Sequence, residues 1–234
     1  MRIVVFTGAG ISAESGIQTF RDEDGLWHSH KVEEVASIDG WKRDKQKVLD
    51  FYNKRRVDML AAKPNKAHIL LAELEKDHDV TIITQNVDDL HEKAGSTKVV
   101  HLHGELSKMC SSNDKTLTQP YDRDINVGDK HEDGSQLRPF VIWFGEGVPM
   151  MWEASRIVKT AEIFVIIGTS LQVYPAVELL RYTELVTPKG LVYIDPNASE
   201  NIKDFEGDVD YTIIEKSATE GVQDLVEILK YREI

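Results

Sequence analysis

Short apolar runs separated by helical patterns constrain this chain more than any other feature. Runs at 3–6, 80–84, 99–102, 140–144, 163–168 and 191–194, with a seventh at 211–214, are dominated by Val, Ile, Leu and Phe. Apolar runs of this length read as strands buried on both faces, which is the habit of parallel sheets. Helical spacing of apolar residues lies between several of them, at 67–76, 152–160, 176–185 and 222–231. The alternation predicts an α/β fold: a doubly wound parallel sheet with right-handed crossovers.

Two segments break the rhythm. Residues 27–66 are polar and helix-prone, with aromatics at Trp41, Phe51 and Tyr52, and read as a small inserted helical domain. Residues 107–137 carry Ser, Asn, Asp, Gly and many charges but few apolar side chains, and read as a loop module on the sheet's rim. The sheet domain then comprises 1–26, 67–106 and 138–234.

Composition narrows the function. The 234 residues carry 28 Lys+Arg against 40 Asp+Glu, a formal charge of −12. That excess repels phosphate backbones and anionic bilayers, so neither nucleic acid nor membrane is an expected partner. The single cysteine, Cys110, excludes an intrachain disulfide and a Cys-rich zinc site, and suits a reducing compartment. The opening apolar run meets Gly8 too soon for a signal sequence, so a cytoplasmic location is expected, and a monomer.

The first run is followed by Gly8-Ala9-Gly10-Ile11-Ser12-Ala13, which fits the G-x-G-x-x-G/A turn. In such a turn the first glycine allows a tight bend, the second lets backbone approach a pyrophosphate, and the small last residue lets the next helix pack closely. A tight turn with no ligand is the competing reading. The acid that holds a ribose in dehydrogenases is expected about 20 residues further on; here Gln18-Thr19-Phe20-Arg21-Asp22-Glu23-Asp24 puts no acid at a second strand's end. Hydride transfer is therefore disfavoured.

Other strands end in chemistry. The second continues into Thr84-Gln85-Asn86-Val87-Asp88-Asp89-Leu90-His91, the third into His101-Leu102-His103-Gly104-Glu105-Leu106, and a later one into Gly168-Thr169-Ser170. Ligands in open α/β sheets bind beyond the carboxyl ends of strands, so these groups converge. His103 is a candidate general base. His101 is read as a structural group facing away from His103. Asp89 and His91 are expected to face solvent or cap the following helix. For Gly168-Thr169-Ser170 an ordinary turn with a hydroxyl cap is the competing reading.

Taken in order, Gly8 to Ile17, Phe20-Arg21, Thr84 to His91, His103-Gly104-Glu105-Leu106 and Gly168-Thr169-Ser170 resemble the signature set of sirtuins, NAD-dependent protein-lysine deacylases, over residues 1 to about 230. The resemblance implies a Rossmann-type domain, a smaller domain, and NAD in the cleft between them. It implies that Gly8, Ala9, Gly10, Ser12 and Arg21 lie against the diphosphate and ribose, with Phe20 on the nicotinamide side. Gln85 and Asn86 would approach the nicotinamide ribose, Asp88 would orient the carboxamide, and Gly168, Thr169 and Ser170 would line the adenosine end. His103, with Asn86 and Asp88, would carry catalysis. NAD would be consumed: the acyl-lysine carbonyl oxygen attacks C1′ of the nicotinamide ribose, nicotinamide leaves, and His103 deprotonates a ribose hydroxyl, which attacks the resulting imidate. The products would be free lysine, nicotinamide and O-acyl-ADP-ribose. Phe144, Gly145 and Glu146 resemble the segment that pairs with the substrate peptide by strand addition, with Val173 and its neighbours on the other side.

The chain departs from the family in the module at 107–137. Most sirtuins carry two cysteine pairs on a structural zinc there; only Cys110 is present, and no metal is expected. Asp195-Pro196 replaces an Asn-containing turn near the adenosine ribose. In the inserted segment, Tyr52 and Arg55 stand i, i+3 on one helix face. They match the Tyr-x-x-Arg pair of the sirtuin branch that removes succinyl and malonyl groups, and an arginine fork beside a phenol suits a carboxylate. A buried Tyr with a solvated Arg is the competing reading, since Arg56 follows at once. Two other functions remain open: protein mono-ADP-ribosyl transfer, and a non-catalytic NAD or ADP-ribose binding module.

Overall fold

A computed structural model of the chain describes residues 1–19, 31–185, 190–203 and 211–232. Phe20 and Arg21 lie outside the described residues. In chain order the strands are β1 (Arg2–Thr7), β2 (Asp79–Thr84), β3 (Val99–His101), β4 (Gly104–Ser111), β5 (Thr118–Pro120), β6 (Leu137–Val141), β7 (Ile163–Ile167), β8 (Leu191–Ile194) and β9 (Thr212–Ile214). The helices are α1 (Gly10–Ala13), α2 (Val32–Val35), α3 (Ile38–Arg43), α4 (Lys45–Ala61), α5 (Lys66–Glu73), α6 (Leu90–Ala94), α7 (Met151–Val158), α8 (Ala198–Asn201) and α9 (Ala218–Arg232), with a 3-10 helix over Ala176–Leu185.

Six strands form one parallel sheet in the order β3-β2-β1-β7-β8-β9. β1 reads Arg-Ile-Val-Val-Phe-Thr, and from Ile3 to Thr7 it is buried, as β-branched and aromatic side chains favour between two helical layers. One face packs on α5 and α9 through Ala67, Leu71, Val222, Leu225 and Leu229. The other packs on α7 and the 3-10 helix through Ala154, Val158, Ala176, Val177 and Leu180. The chain leaves β1 toward β2 on one side and β7 lies on the other, so the strand order reverses beside β1, where a ligand crevice is expected. Among the described residues no helix is long and apolar enough to cross a membrane.

The run at 140–144 is a correction. It does not join the parallel sheet: β6 ends at Val141 and pairs antiparallel with β4, in a separate three-stranded sheet ordered β5-β4-β6. Residues 107–137 hold the end of β4 and all of β5, a small module rather than a bare loop. That small sheet shares a core with the inserted helices: Val35, Trp41, Val48, Leu49, Phe51, Tyr52 and Met59 pack with Leu106, Met109, Tyr121, Ile125, Leu137, Val141 and Trp143. Asp44 caps α4 by accepting from Lys47 N at 3.0 Å, which fixes where the Tyr52-bearing helix starts. Arg56 is buried rather than solvated, bonded to Asp124 at 2.9 Å and stacked on Tyr121.

Cys110 is buried, its thiol raised to about 11 by burial. The neighbouring Ser111 hydroxyl forms a knot instead: it accepts from Asn113 N at 3.0 Å and Asp114 N at 3.1 Å, donates to Asp133 Oδ2 at 2.5 Å, and lies 2.8 Å from Ser135 Oγ. Among the described residues no group of three or more His, Cys, Asp and Glu could hold a metal.

Candidate active site

The carboxyl ends of β1, β2, β7 and β8 open on one cavity of about 680 Å³, within the range of small-molecule sites. Gly8, Ala9, Gly10, Gln85, Asn86, His103, Gly168, Thr169 and Ser170 all line it, as do Tyr52, Arg55, Phe144, Gly145, Glu146 and Val173. Ser12 and Asp88 lie just behind the wall, buried.

The glycine turn works partly through interlocking. A Cβ on Gly8 would stand 2.6 Å from Gly168 O, and one on Gly10 would stand 2.7 Å from Gly168 Cα. Gly10 N donates to Gly168 O at 2.8 Å, and Gly168 itself sits at φ 60. The two turns flanking the crevice are thus locked together with no room for side chains.

Behind them Ser12, Asn86 and Asp88 form one network. Ser12 Oγ donates to Asp88 Oδ2 at 3.1 Å and accepts from Asn86 Nδ2 at 3.2 Å. Asn86 Nδ2 also donates to Gly8 O at 3.0 Å, and Asp88 Oδ1 accepts from Leu90 N at 3.2 Å. Burial raises the Asp88 carboxyl, while the Leu90 and Ser12 bonds pull it back. Gln85 Nε2 donates to Thr169 Oγ1 at 3.0 Å, spanning the crevice from β2 to β7.

His103 is held by its backbone neighbour: Nδ1 lies 2.9 Å from Gln85 O. A carbonyl only accepts, so Nδ1 carries the proton and Nε2 is the basic nitrogen. Burial holds the imidazole below its ordinary pKa. His101 takes the structural role expected: Nδ1 bonds Asn86 O at 3.0 Å and Nε2 bonds Glu92 at 2.8 Å, and those partners outweigh burial to raise it. Asp89 pairs with Lys93 at 2.8 Å on α6. His91 corrects the sequence reading: it is buried, bonds Thr7 Oγ1 through Nε2 at 3.2 Å, and meets the His68 ring at 4.9 Å, because α6 packs this face on α5.

Burial pushes the Tyr52 phenol, also on the cavity wall, up to about 12, so it stays protonated. Burial holds the Arg55 guanidinium below its ordinary pKa, and the nearby Asp88 carboxylate partly offsets it. Glu146 lines the wall, but its carboxylate is held by Arg138 at 2.9 and 3.0 Å and by Trp143 N at 2.8 Å. Phe144 is 45% exposed, which excludes core packing for it. Its amide donates to Ala36 O at 2.9 Å and its carbonyl accepts from Ile38 N at 3.2 Å. Asp195, Pro196, Asn197, Asn201 and Ser217 also line the cavity, beyond the end of β8. Of these, only Asp195-Pro196 carried a signal in the sequence.

A model of the Sir2 family matches residues 8–175, which contain the residues that follow β1, β2 and β7 on the cavity wall. The chain belongs to the Sir2 family. This Sir2-family chain is 53% identical over 224 residues to a Helicobacter pylori protein named NAD-dependent protein deacylase, covering 96% of this chain and 95% of that one. A Bacteroides thetaiotaomicron protein of the same name is 51% identical over 240 residues, covering 97% of each. Among solved structures, a Sir2 homolog–NAD complex aligns with TM-score 0.84 and 36% identity, covering 99% of this chain and 90% of that one. A Sir2 complex with a deacetylated p53 peptide and 3′-O-acetyl ADP-ribose aligns with TM-score 0.78 and 31% identity over 96% of this chain and 92% of that one.

Proposed function

We propose that this Sir2-family chain is an NAD-dependent protein-lysine deacylase that favours acyl groups ending in a carboxylate. The observation that carries the reading is that His103, Asn86 and the Tyr52/Arg55 pair open on one cavity. Its volume and polar strand ends fit a dinucleotide, and the locked glycine turns leave backbone rather than side chains at the place a diphosphate would take. Gly8, Ala9 and Gly10 would hold the diphosphate, Gln85 and Asn86 the nicotinamide ribose, and Gly168, Thr169 and Ser170 the adenosine half. Ser12 and Asp88 act from behind by fixing Asn86.

The dinucleotide supplies an electrophilic ribose carbon once nicotinamide can leave. The chain's own residues do the rest. His103 Nε2, with Nδ1 anchored on Gln85 O, takes a proton from a ribose hydroxyl. Asn86, oriented through Gly8 O and Ser12, presents its amide at the same strand end. The surrounding buried wall limits water. Arg55 and Tyr52 receive the acyl group's far end, a fork and a hydroxyl facing two carboxylate oxygens. A peptide strand laid beside 144–148 would pair with the neighbours of Phe144, whose own main chain is engaged with Ala36 and Ile38.

The test is mass spectrometry of matched acetyl-, malonyl- and succinyl-lysine peptides incubated with NAD. Nicotinamide release with free lysine and O-acyl-ADP-ribose, faster for the acidic acyl groups and lost in His103→Ala, is the expected result. Replacing Arg55 with Met should lower desuccinylation far more than deacetylation. Equal losses on both would discard the acidic preference, and ADP-ribose on protein without deacylated lysine would replace the reading with mono-ADP-ribosyl transfer.

A further inference from the structure

Tyr52 is one partner in a chain of contacts that the acyl reading does not use. The indole Nε1–H of Trp143 donates to Tyr52 Oη at 3.1 Å. An indole N–H can only donate, so the phenol oxygen is an acceptor toward Trp143 and its own hydrogen must be directed elsewhere. Among the described residues none accepts from that hydroxyl, and the Tyr52 side chain lines the cavity.

Trp143 is itself held at its backbone amide and at its ring. Trp143 N donates to Glu146 Oε2 at 2.8 Å. The Arg138 guanidinium lies over the ring, 3.4 Å from its centroid, and grips Glu146 through both terminal nitrogens. Trp41 packs on the ring with centroids 5.2 Å apart. Arg138 is 2% exposed, and an ion pair this deep is a weak source of net stability, which raises the question of what its geometry serves.

We infer that Trp143 is a positioning residue for acyl specificity: its N–H fixes the rotation of the Tyr52 hydroxyl so that the phenol hydrogen points into the cavity, at the distal carboxylate of the acyl group. The inference rests on the acidic-acyl reading above and extends it. Arg138 and Glu146 act one step further back, by holding the indole plane. An acetyl group has no atom at that depth, so the orientation matters only for longer, charged acyl groups.

The test is a double-mutant cycle on kcat/KM with succinyl-lysine and acetyl-lysine peptides. Trp143→Phe keeps a ring and deletes the donor; it should lower the succinyl-to-acetyl ratio about tenfold, the worth of one hydrogen bond to a charged group. In a Tyr52→Phe background the same substitution should leave the ratio unchanged, because the hydroxyl it acts through is gone. A purely structural indole would lower both substrates together, and would do so with or without the hydroxyl; either result overturns the inference. If Trp143→Phe does not fold, Glu146→Gln serves instead: it loosens the indole's anchor without removing a ring, and should lower the same ratio by a smaller factor. An unchanged ratio there also overturns the inference. A wild-type enzyme with no preference for succinyl-lysine would overturn the acidic-acyl reading and this inference together, whereas a preference untouched by the variants would overturn this inference alone.

Discussion

His103 Nδ1 stands 2.9 Å from the Gln85 carbonyl oxygen, so a residue of the cavity wall at the end of β2 decides which nitrogen of the imidazole is basic. Burial lowers the His103 pKa below 6.5, and the Gln85 bond partly restores it. A base must be neutral to work, so activity is present above the folded-state pKa and lost as pH falls through it. The acidic limb of kcat/KM for deacylation should therefore lie below pH 6.5. His103→Ala should remove that limb and reduce turnover by roughly 10²-fold or more. A limb above pH 7, or a variant with wild-type turnover, would count against the assignment.

Ser12 both donates to Asp88 and accepts from Asn86 while fully buried. Ser12→Ala leaves two buried polar groups short of a partner, at a cost of about 1–3 kcal/mol. Steady-state kinetics should show KM for NAD rising by about tenfold or more, with KM for peptide much less changed. An unaltered KM for NAD would separate this network from dinucleotide binding.

His68 and His91 face each other in the interior, and the pKa of His68 is lowered to about 4 by burial, with His91 also well below its ordinary value. Both are thus neutral in the folded chain. Their contribution is fully present above the unfolded pKa near 6.5 and is lost progressively as pH falls toward 4; for His68 alone that amounts to roughly 3 kcal/mol. Urea unfolding followed from pH 7.5 to 4.5 should show stability falling through this window. His68→Gln should make the fall shallower, and an identical slope in that variant would assign the acid sensitivity elsewhere.

Ser111 ties four partners in the small sheet. Ser111→Ala should lower Tm by roughly 3–10 °C, as expected for losing 1–3 kcal/mol in a chain of this size. Thermal unfolding monitored by circular dichroism reads this directly. A shift under 1 °C would mean that the packing of Leu106, Met109 and Leu137 holds the module without the knot.

The sheet was legible because parallel strands are buried on both faces and so appear as unbroken runs such as Ile163–Ile167. The strand-end chemistry was legible because topology sends those ends to one place: Gly8, Asn86 and Gly168 are far apart in sequence yet line one cavity. The antiparallel sheet was not. Pro139 and Val141 sit in an apolar stretch whose length says nothing about the direction of its partner, and β4 interrupts its buried Leu106, Met109 and Cys110 with Ser107 and Lys108. His91 was misplaced because a helix of five residues shows too little periodicity to reveal which side is packed. The bond between Trp143 and Tyr52 spans 91 residues and leaves no local trace at all.

The inserted helices and the three-stranded sheet share their own apolar cluster, apart from the two that sandwich the parallel strands. Tyr52 and Trp143 belong to that cluster, whereas Gly8, Asn86 and Gly168 follow strands of the parallel sheet. A substitution in that cluster therefore reshapes the cavity wall at Tyr52 without touching the packing that holds the parallel strands.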